Sequence, residues 1–177
     1  MTEQQIQYIE LYSFKKKNYP EIEKEMNISR KELRALLTHE VMEYRQHIQK
    51  IYKKYNKERS KAFPRFKDFF NWYEKQEQIC GYCGVSQVDL YKIFKKNNGI
   101  LPYIIPTKEY EKEPKRSSGT LEIERLDSSE KYGEDNIILA CPLCNNAKSN
   151  LIDEVSWREL FVPAMKAYYK KLLITIN

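Results

Sequence analysis

Histidine is scarce in this 177-residue chain, which has two, against four cysteines and 31 lysines and arginines. No window approaches the roughly 18 apolar residues that a membrane helix needs. Met1 to Tyr12 carries no basic segment leading into an apolar one, as a secretory leader would. These absences argue against a membrane location and for a cytoplasmic one. Neither an internal repeat nor a low-complexity tract appears, which argues against solenoid arrays and compositional linkers. With cysteine limited to two close pairs, a reducing compartment makes metal ligation the natural use of the thiols, rather than disulfide pairing.

What the chain does have is positive charge and aromatic rings. Lys and Arg outnumber Asp and Glu 31 to 25, for a formal charge of +6, and fourteen residues are tyrosine. That balance favours a polyanionic partner, and rings interleaved with basic residues suit nucleic acid better than a bare membrane surface. The length fits one ordinary domain, or a medium domain with a small helical module.

Apolar residues from Ile6 to Leu37 fall mostly at helical spacing and predict three short helices, the second opened by Pro20. Ser29 and Glu32 form a capping box that starts the third, and Asn27 suits the tight turn before it. Residues 1–38 thus have the outline of a helix-turn-helix presenting Ser29, Arg30, Lys31 and Arg34 to a major groove. A small helical bundle with a solvated charged face has the same pattern. Residues 39–62 read as a basic connector, helical from His39 to about Arg59. Its Lys50, Lys53, Lys54, Lys57 and Lys61, continuing to Arg65, either track a phosphate backbone or form a solvated surface.

Residues 63–177 read as the second module. After Pro64, Phe66, Phe69, Phe70 and Tyr73 recur at i, i+3, i+4 and i+7, predicting a helix that ends before Cys80. Ser86 and Asp89 start another, stopped by Gly99. Leu101 to Thr120 reads as a loop, Leu121 to Leu126 and Ile137 to Ala140 as strands, Cys144 onward as helix, and Trp157 to Leu173 as a last amphipathic helix. His39 and His47 lie far upstream and read as surface residues.

The most specific signal is Cys80-Gly-Tyr-Cys83 paired with Cys141-Pro-Leu-Cys144, two knuckles of the kind that make a tetrahedral four-cysteine zinc site. Positions 84 to 140 separate them, whereas a zinc ribbon spaces its knuckles by roughly 15–20 residues, so something is built between. The zinc itself would be structural, because four thiolates leave no open position for water.

Between and beside the knuckles run Leu121-Glu-Ile-Glu-Arg-Leu-Asp127 and Tyr132-Gly-Glu-Asp-Asn136-Ile-Ile-Leu-Ala-Cys141-Pro-Leu-Cys144-Asn145-Asn-Ala-Lys148. This resembles the HNH, or ββα-metal, endonucleases with a zinc-binding core. Their strand ends in Asp-His, an Asn precedes the second strand, and C-x-x-C-N-x-x-K opens a helix. The chain matches at Asn136, Asn145 and Lys148 and departs at Asp-His, where it has Glu124-Arg125. The resemblance implies a divalent cation, Mg2+ or Mn2+, on Glu124 and Asn145 against the scissile phosphate. Arg125 cannot act as the family's histidine base, since a guanidinium stays protonated, but it can stabilise a phosphorane.

A restriction-enzyme variant of that family also has an acidic residue followed by Arg, and a run like Cys80-Gly-Tyr-Cys83-Gly84. It is similar over roughly Phe66 to Asn150, just under half the chain. It implies a tyrosine nucleophile ahead of the first knuckle, here Tyr73, which periodicity alone would read as a core aromatic. The histidine that accompanies that tyrosine has no counterpart around Ser60 and Lys61.

The expected fold is α+β and mostly helical: an N-terminal helix-turn-helix, a zinc-stapled ββα-metal nuclease core and a C-terminal helix. The expected function is metal-dependent cleavage of double-stranded DNA. Tyr73, Glu124, Arg125, Asn136 and Asn145 form the site, and Lys148 joins the basic residues as a DNA contact. A homodimer would fit duplex cutting. A non-catalytic zinc-stabilised DNA-binding regulator and a structural RNA-binding zinc protein are the alternatives.

Overall fold

A computed structural model describes residues 1–55, 62–97 and 119–176. The expected loop from Leu101 lies outside them up to residue 118, as do Lys57 and Lys61. Among the described residues the architecture is mostly helical with one small antiparallel sheet, an α+β arrangement. No helix among the described residues is long and apolar enough to cross a membrane. The chain forms two compact units, Met1–Lys75 and Gln76–Asn177.

In the first unit, α1 (Glu3–Ile9) runs into a π-helical turn at Glu10–Phe14 and is followed by α2 (Tyr19–Met26), α3 (Arg30–Ala35), α4 (His39–Tyr52) and α5 (Phe66–Glu74). Local chemistry sets the boundaries. Thr2, Asn18 and Ser29 each accept from the backbone N–H three residues on, and Gln5, Glu21 and Glu32 close the reciprocal bond. Asn27 ends α2 at φ 52°, the left-handed conformation asparagine tolerates better than most residues. The helix expected to run from His39 to Arg59 is described as helix only to Tyr52.

Tyr8, Leu11, Ile22, Leu33, Val41, Ile48 and Ile51 are buried, and so are Phe66, Phe69, Phe70, Trp72 and Tyr73 of α5. Phe14 joins that aromatic cluster, its ring 5.2 Å from Phe70 and 5.6 Å from Phe66. Gln5 donates from Nε2 to Leu36 O and Thr38 Oγ1, tying α1 to the turn before α4.

The second unit contains α6 (Gln87–Lys96), β1 (Glu122–Arg125), β2 (Ile137–Ala140), α7 (Pro142–Lys148) and a C-terminal helix. That last helix begins as α8 (Glu154–Ser156), widens into a π-helical turn at Trp157–Phe161 and continues as α9 (Val162–Ile176). It starts before the expected Trp157 because the Asp153 side chain accepts from Ser156 N at 2.9 Å and caps it. Likewise α7 starts at Pro142 rather than Cys144, since proline is pre-set for the first helical turn and Cys141 serves as N-cap.

β1 and β2 pair antiparallel, with Glu122 opposite Ala140 and Arg125 opposite Ile137. Leu121, Ile123, Ile137 and Leu139 are buried, and so are Leu90, Ile93, Trp157 and Tyr169. Gln87 clamps the entry to β1: its Nε2 donates to Gly119 O and its Oε1 accepts from Leu121 N, both at 2.7 Å.

Candidate functional site

The first knuckle is a tight turn. Gly84 N donates to Cys80 O and Cys80 N to Val85 O, and Gly84 sits at φ 78°, where an L side chain would be strained. Gly81 N donates to Leu139 O at 2.8 Å, docking this turn on β2, and the second knuckle follows directly from β2. All four sulfurs are thereby gathered within 4.8 Å of one another, and all four cysteines are buried. Cys83 and Cys141 sulfurs lie 3.7 Å apart. Four thiolates at about 2.3 Å from one tetrahedral ion would stand about 3.8 Å apart.

The electrostatics point the same way. Hydrogen bonds from Cys141, Cys144 and Cys83 push the Cys80 thiol's pKa down. Hydrogen bonds with Cys141, Cys80 and Cys83 push Cys144 up, and burial pushes Cys141 up. Four buried sulfurs cannot all ionise side by side without a positive charge among them. The cluster therefore suits a structural metal.

Next to this staple, β1, β2 and α7 form a strand-turn-strand-helix hairpin. Asn136 orders its turn: Nδ2 donates to Asp127 O at 3.1 Å and Lys131 O at 2.9 Å, and Oδ1 accepts from Asp127 N at 2.8 Å. A polar cleft of about 310 Å³ opens over the hairpin, lined by Glu124, Arg125, Ser128, Tyr132, Asn145, Asn146, Ser149 and Asn150. Three of the expected site residues, Glu124, Arg125 and Asn145, thus share one cavity. A larger cavity of about 400 Å³ between Leu126 and Val155 has none of them.

Glu124 is buried, and that burial raises its carboxyl pKa, an effect that Lys148 and then Arg125 oppose. Arg125 donates from Nη1 to Glu130 O at 2.9 Å, with its guanidinium carbon 5.2 Å from the Tyr132 ring centre. Asn145 donates from Nδ2 to Glu122 Oε2 at 2.5 Å.

Glu122 is the residue that sequence reasoning missed. Its signal was available: strand side chains alternate, so a carboxylate two positions before Glu124 projects from the same face.

The remaining candidates are distributed as follows. Tyr73 lies in the first unit, 6% exposed, with its ring 6.4 Å from Phe69 and 6.5 Å from Trp72. Burial, and then the charge of Glu74, raises its phenol pKa. Arg30 is held by Glu23, 2.5 Å from Nε, and lies 5.4 Å from the Tyr19 ring. Lys31, Arg34, Lys50 and Lys53 are exposed and Lys54 is half-buried. Arg65 makes a two-pronged pair with Asp68, both bonds at 2.8 Å. Lys148, expected at the DNA surface, has no exposed surface at all. Its ammonium lies 3.2 Å from Arg125 O and from Ser128 Oγ, and 3.5 Å from Glu124 Oε1.

No protein-family model matches the chain, and no curated protein matches it. Among solved structures, the rare-cutting HNH restriction endonuclease PacI is similar, at 26% identity and a TM-score of 0.42. The similarity covers 60% of this chain and 64% of that one, so the chain spans less than two thirds of the PacI chain.

Proposed function

We propose that the protein is an HNH-type endonuclease that cleaves phosphodiester bonds of double-stranded DNA. The observation that carries this reading is the convergence of Glu124, Arg125 and Asn145 on one polar cleft, carried by a β1-β2-α7 hairpin that four clustered cysteines clamp. In this reading Zn2+ occupies the cysteine cluster and has no open coordination position, so its contribution is to the fold. Glu124 and Asn145 hold a second divalent cation, Mg2+ or Mn2+, which supplies Lewis-acid polarisation of the phosphate.

Each remaining group has a role set by its chemistry. Arg125, permanently protonated, offsets the charge that grows on phosphorus. Asn136 keeps the turn of the hairpin ordered so that Glu124 and Arg125 stay in register. Tyr73 is the nucleophile that the family resemblance implies. Arg30, Lys31 and Arg34 read bases, while Lys50, Lys53, Lys54, Lys57, Lys61 and Arg65 neutralise phosphates and set the salt dependence. One such site cuts one strand, so sequence-specific duplex cleavage calls for a homodimer, acting in the cytoplasm.

A second reading, a non-catalytic zinc-stabilised DNA-binding regulator, is favoured by the absence of histidine among the residues lining the cleft. One experiment separates the two. Supercoiled plasmid is incubated with zinc-loaded protein and Mg2+ or Mn2+, in parallel with EDTA and with Glu124→Ala. The endonuclease reading expects nicking that EDTA and the substitution abolish. Plasmid retarded on a gel but never cut, with either cation, would establish the regulator.

A further inference from the structure

β1 and α7 are joined by two side-chain rungs. Glu122 and Glu124 project from the same face of β1, and Asn145 and Lys148 stand one helical turn apart on α7. Glu124 meets Lys148, and Glu122 meets Asn145. The second rung bears on chemistry because Asn145 has two different ends. A carboxamide offers an N–H2 that only donates and an oxygen that only accepts, and a carboxylate only accepts. With Glu122 Oε2 at 2.5 Å, the end facing it must be Nδ2, and the opposite end, Oδ1, is the one left for the cleft. Only the oxygen can ligate a hard divalent cation.

We propose that Glu122 is a positioning residue for the metal centre. It fixes the flip of the Asn145 amide so that Oδ1, not the amide nitrogen, is presented to the cation. This rests on the reading of Glu124 and Asn145 as cation ligands given above. Without Glu122, the Asn145 amide is free to turn its nitrogen toward the ion, and part of each molecule's time is spent in a non-ligating orientation. Groups that orient a ligand in this way typically contribute about 10- to 100-fold to metal affinity.

The test is Mn2+ binding to the full, zinc-loaded chain, followed by the paramagnetic resonance signal of free Mn2+. Glu122→Ala should weaken Mn2+ about 10- to 100-fold, and Asn145→Ala at least as much. The double variant should bind no more weakly than Asn145→Ala alone, because Glu122 acts only through that amide. Zinc content and the thermal unfolding midpoint report whether each variant is folded. If Glu122→Ala does not fold, Glu122→Gln carries the same comparison, since it retains an acceptor but also offers a competing donor, and should fall between wild type and Asn145→Ala.

Unchanged Mn2+ affinity in the Glu122 variant overturns the proposal. So does additive weakening in the double variant, which would make Glu122 an independent ligand. Wild-type protein that binds no Mn2+ would instead overturn the underlying metal reading, a different result from wild type that binds regardless of Glu122.

Discussion

Lys148 and Glu124 form an ion pair inside the second unit, 3.5 Å between nitrogen and oxygen, with side-chain exposures of 0% and 11%. The pair sits between the hairpin and its helix, and the lysine's other bonds go to Arg125 O and Ser128 Oγ. An ammonium so enclosed acts on the fold, because a carboxylate left without it would be a buried charge offset only by the weaker influence of Arg125.

Replacing Lys148 with Met should therefore destabilise the zinc-loaded protein by about 3–5 kcal/mol, the scale for breaking one side of a buried pair. Adding Glu124→Gln should recover much of that loss by removing the orphaned charge, as urea denaturation of the two variants would measure. If Lys148→Met instead left stability unchanged and reduced the salt slope of DNA binding by about one, Lys148 would be a phosphate contact.

The cysteine cluster predicts a local collapse on metal removal. Zinc-free protein, or Cys144→Ala with three ligands left, should lose amide-exchange protection across β1, β2 and α7, since the knuckles are what hold the hairpin's remote segments together. Elemental analysis should find one zinc per chain in the native protein. Four reactive thiols with full protection of β2 would show that no metal supports this unit.

Much of this architecture was legible because short-range chemistry carries it. Ser29 and Glu32 cap α3, Asn27 takes the left-handed turn, Ser86 caps α6, the first strand lies within the alternating Leu121 to Leu126, and the second spans Ile137–Ala140 as expected. The two knuckles declared their own partnership through spacing. What was illegible depends on register between elements. Nothing in Asn145-Asn-Ala-Lys148 says that the lysine turns inward, and lysine's base rate argues the opposite. The Glu122 bond to Asn145 likewise exists only once β1 lies against α7. The π-helical turns at Glu10–Phe14 and Trp157–Phe161 leave no mark in apolar periodicity.

The cap of α3 makes a pH prediction. The Ser29 hydroxyl, and then the Ser29 backbone N–H, hold the Glu32 carboxyl below its ordinary range. A depressed folded-state pKa contributes stability that is fully present above the unfolded value, about 4.3 for glutamate, and lost as pH falls through the folded one. Amide protection at the start of α3 should thus weaken below about pH 4, and Glu32→Gln should remove that dependence. Because α3 carries Arg30, Lys31 and Arg34, Ser29→Ala should also weaken DNA binding. Equal binding by Ser29→Ala and wild type would count against α3 as a reader.

The last prediction concerns the attacking group, where two mechanisms make opposite forecasts. If the Tyr73 phenolate attacks phosphorus, a phosphotyrosyl bond forms as a phosphate–sugar oxygen bond breaks. Tyr73→Phe should then abolish cleavage while leaving metal and DNA binding intact. If a water attacks, the ring serves as a packing residue beside Phe69 and Trp72, and Tyr73→Phe should keep most of the rate. Burial raises the phenol's pKa, so the first mechanism needs a nearby positive charge to stabilise the phenolate as its proton passes to solvent, and should accelerate as pH rises. Arg125→Ala should cost about 3 kcal/mol of transition-state stabilisation in either case, the scale for losing one preorganised donor. Arg125→His separates the cases further, because an imidazole at that position supplies a base for water and should rescue a Tyr73→Phe enzyme. A denaturant-resistant protein–DNA adduct in the wild type, absent from Tyr73→Phe, would establish the phenolate. Full activity of Tyr73→Phe with no adduct would assign attack to water and leave Glu124, Arg125 and Asn145 as the site.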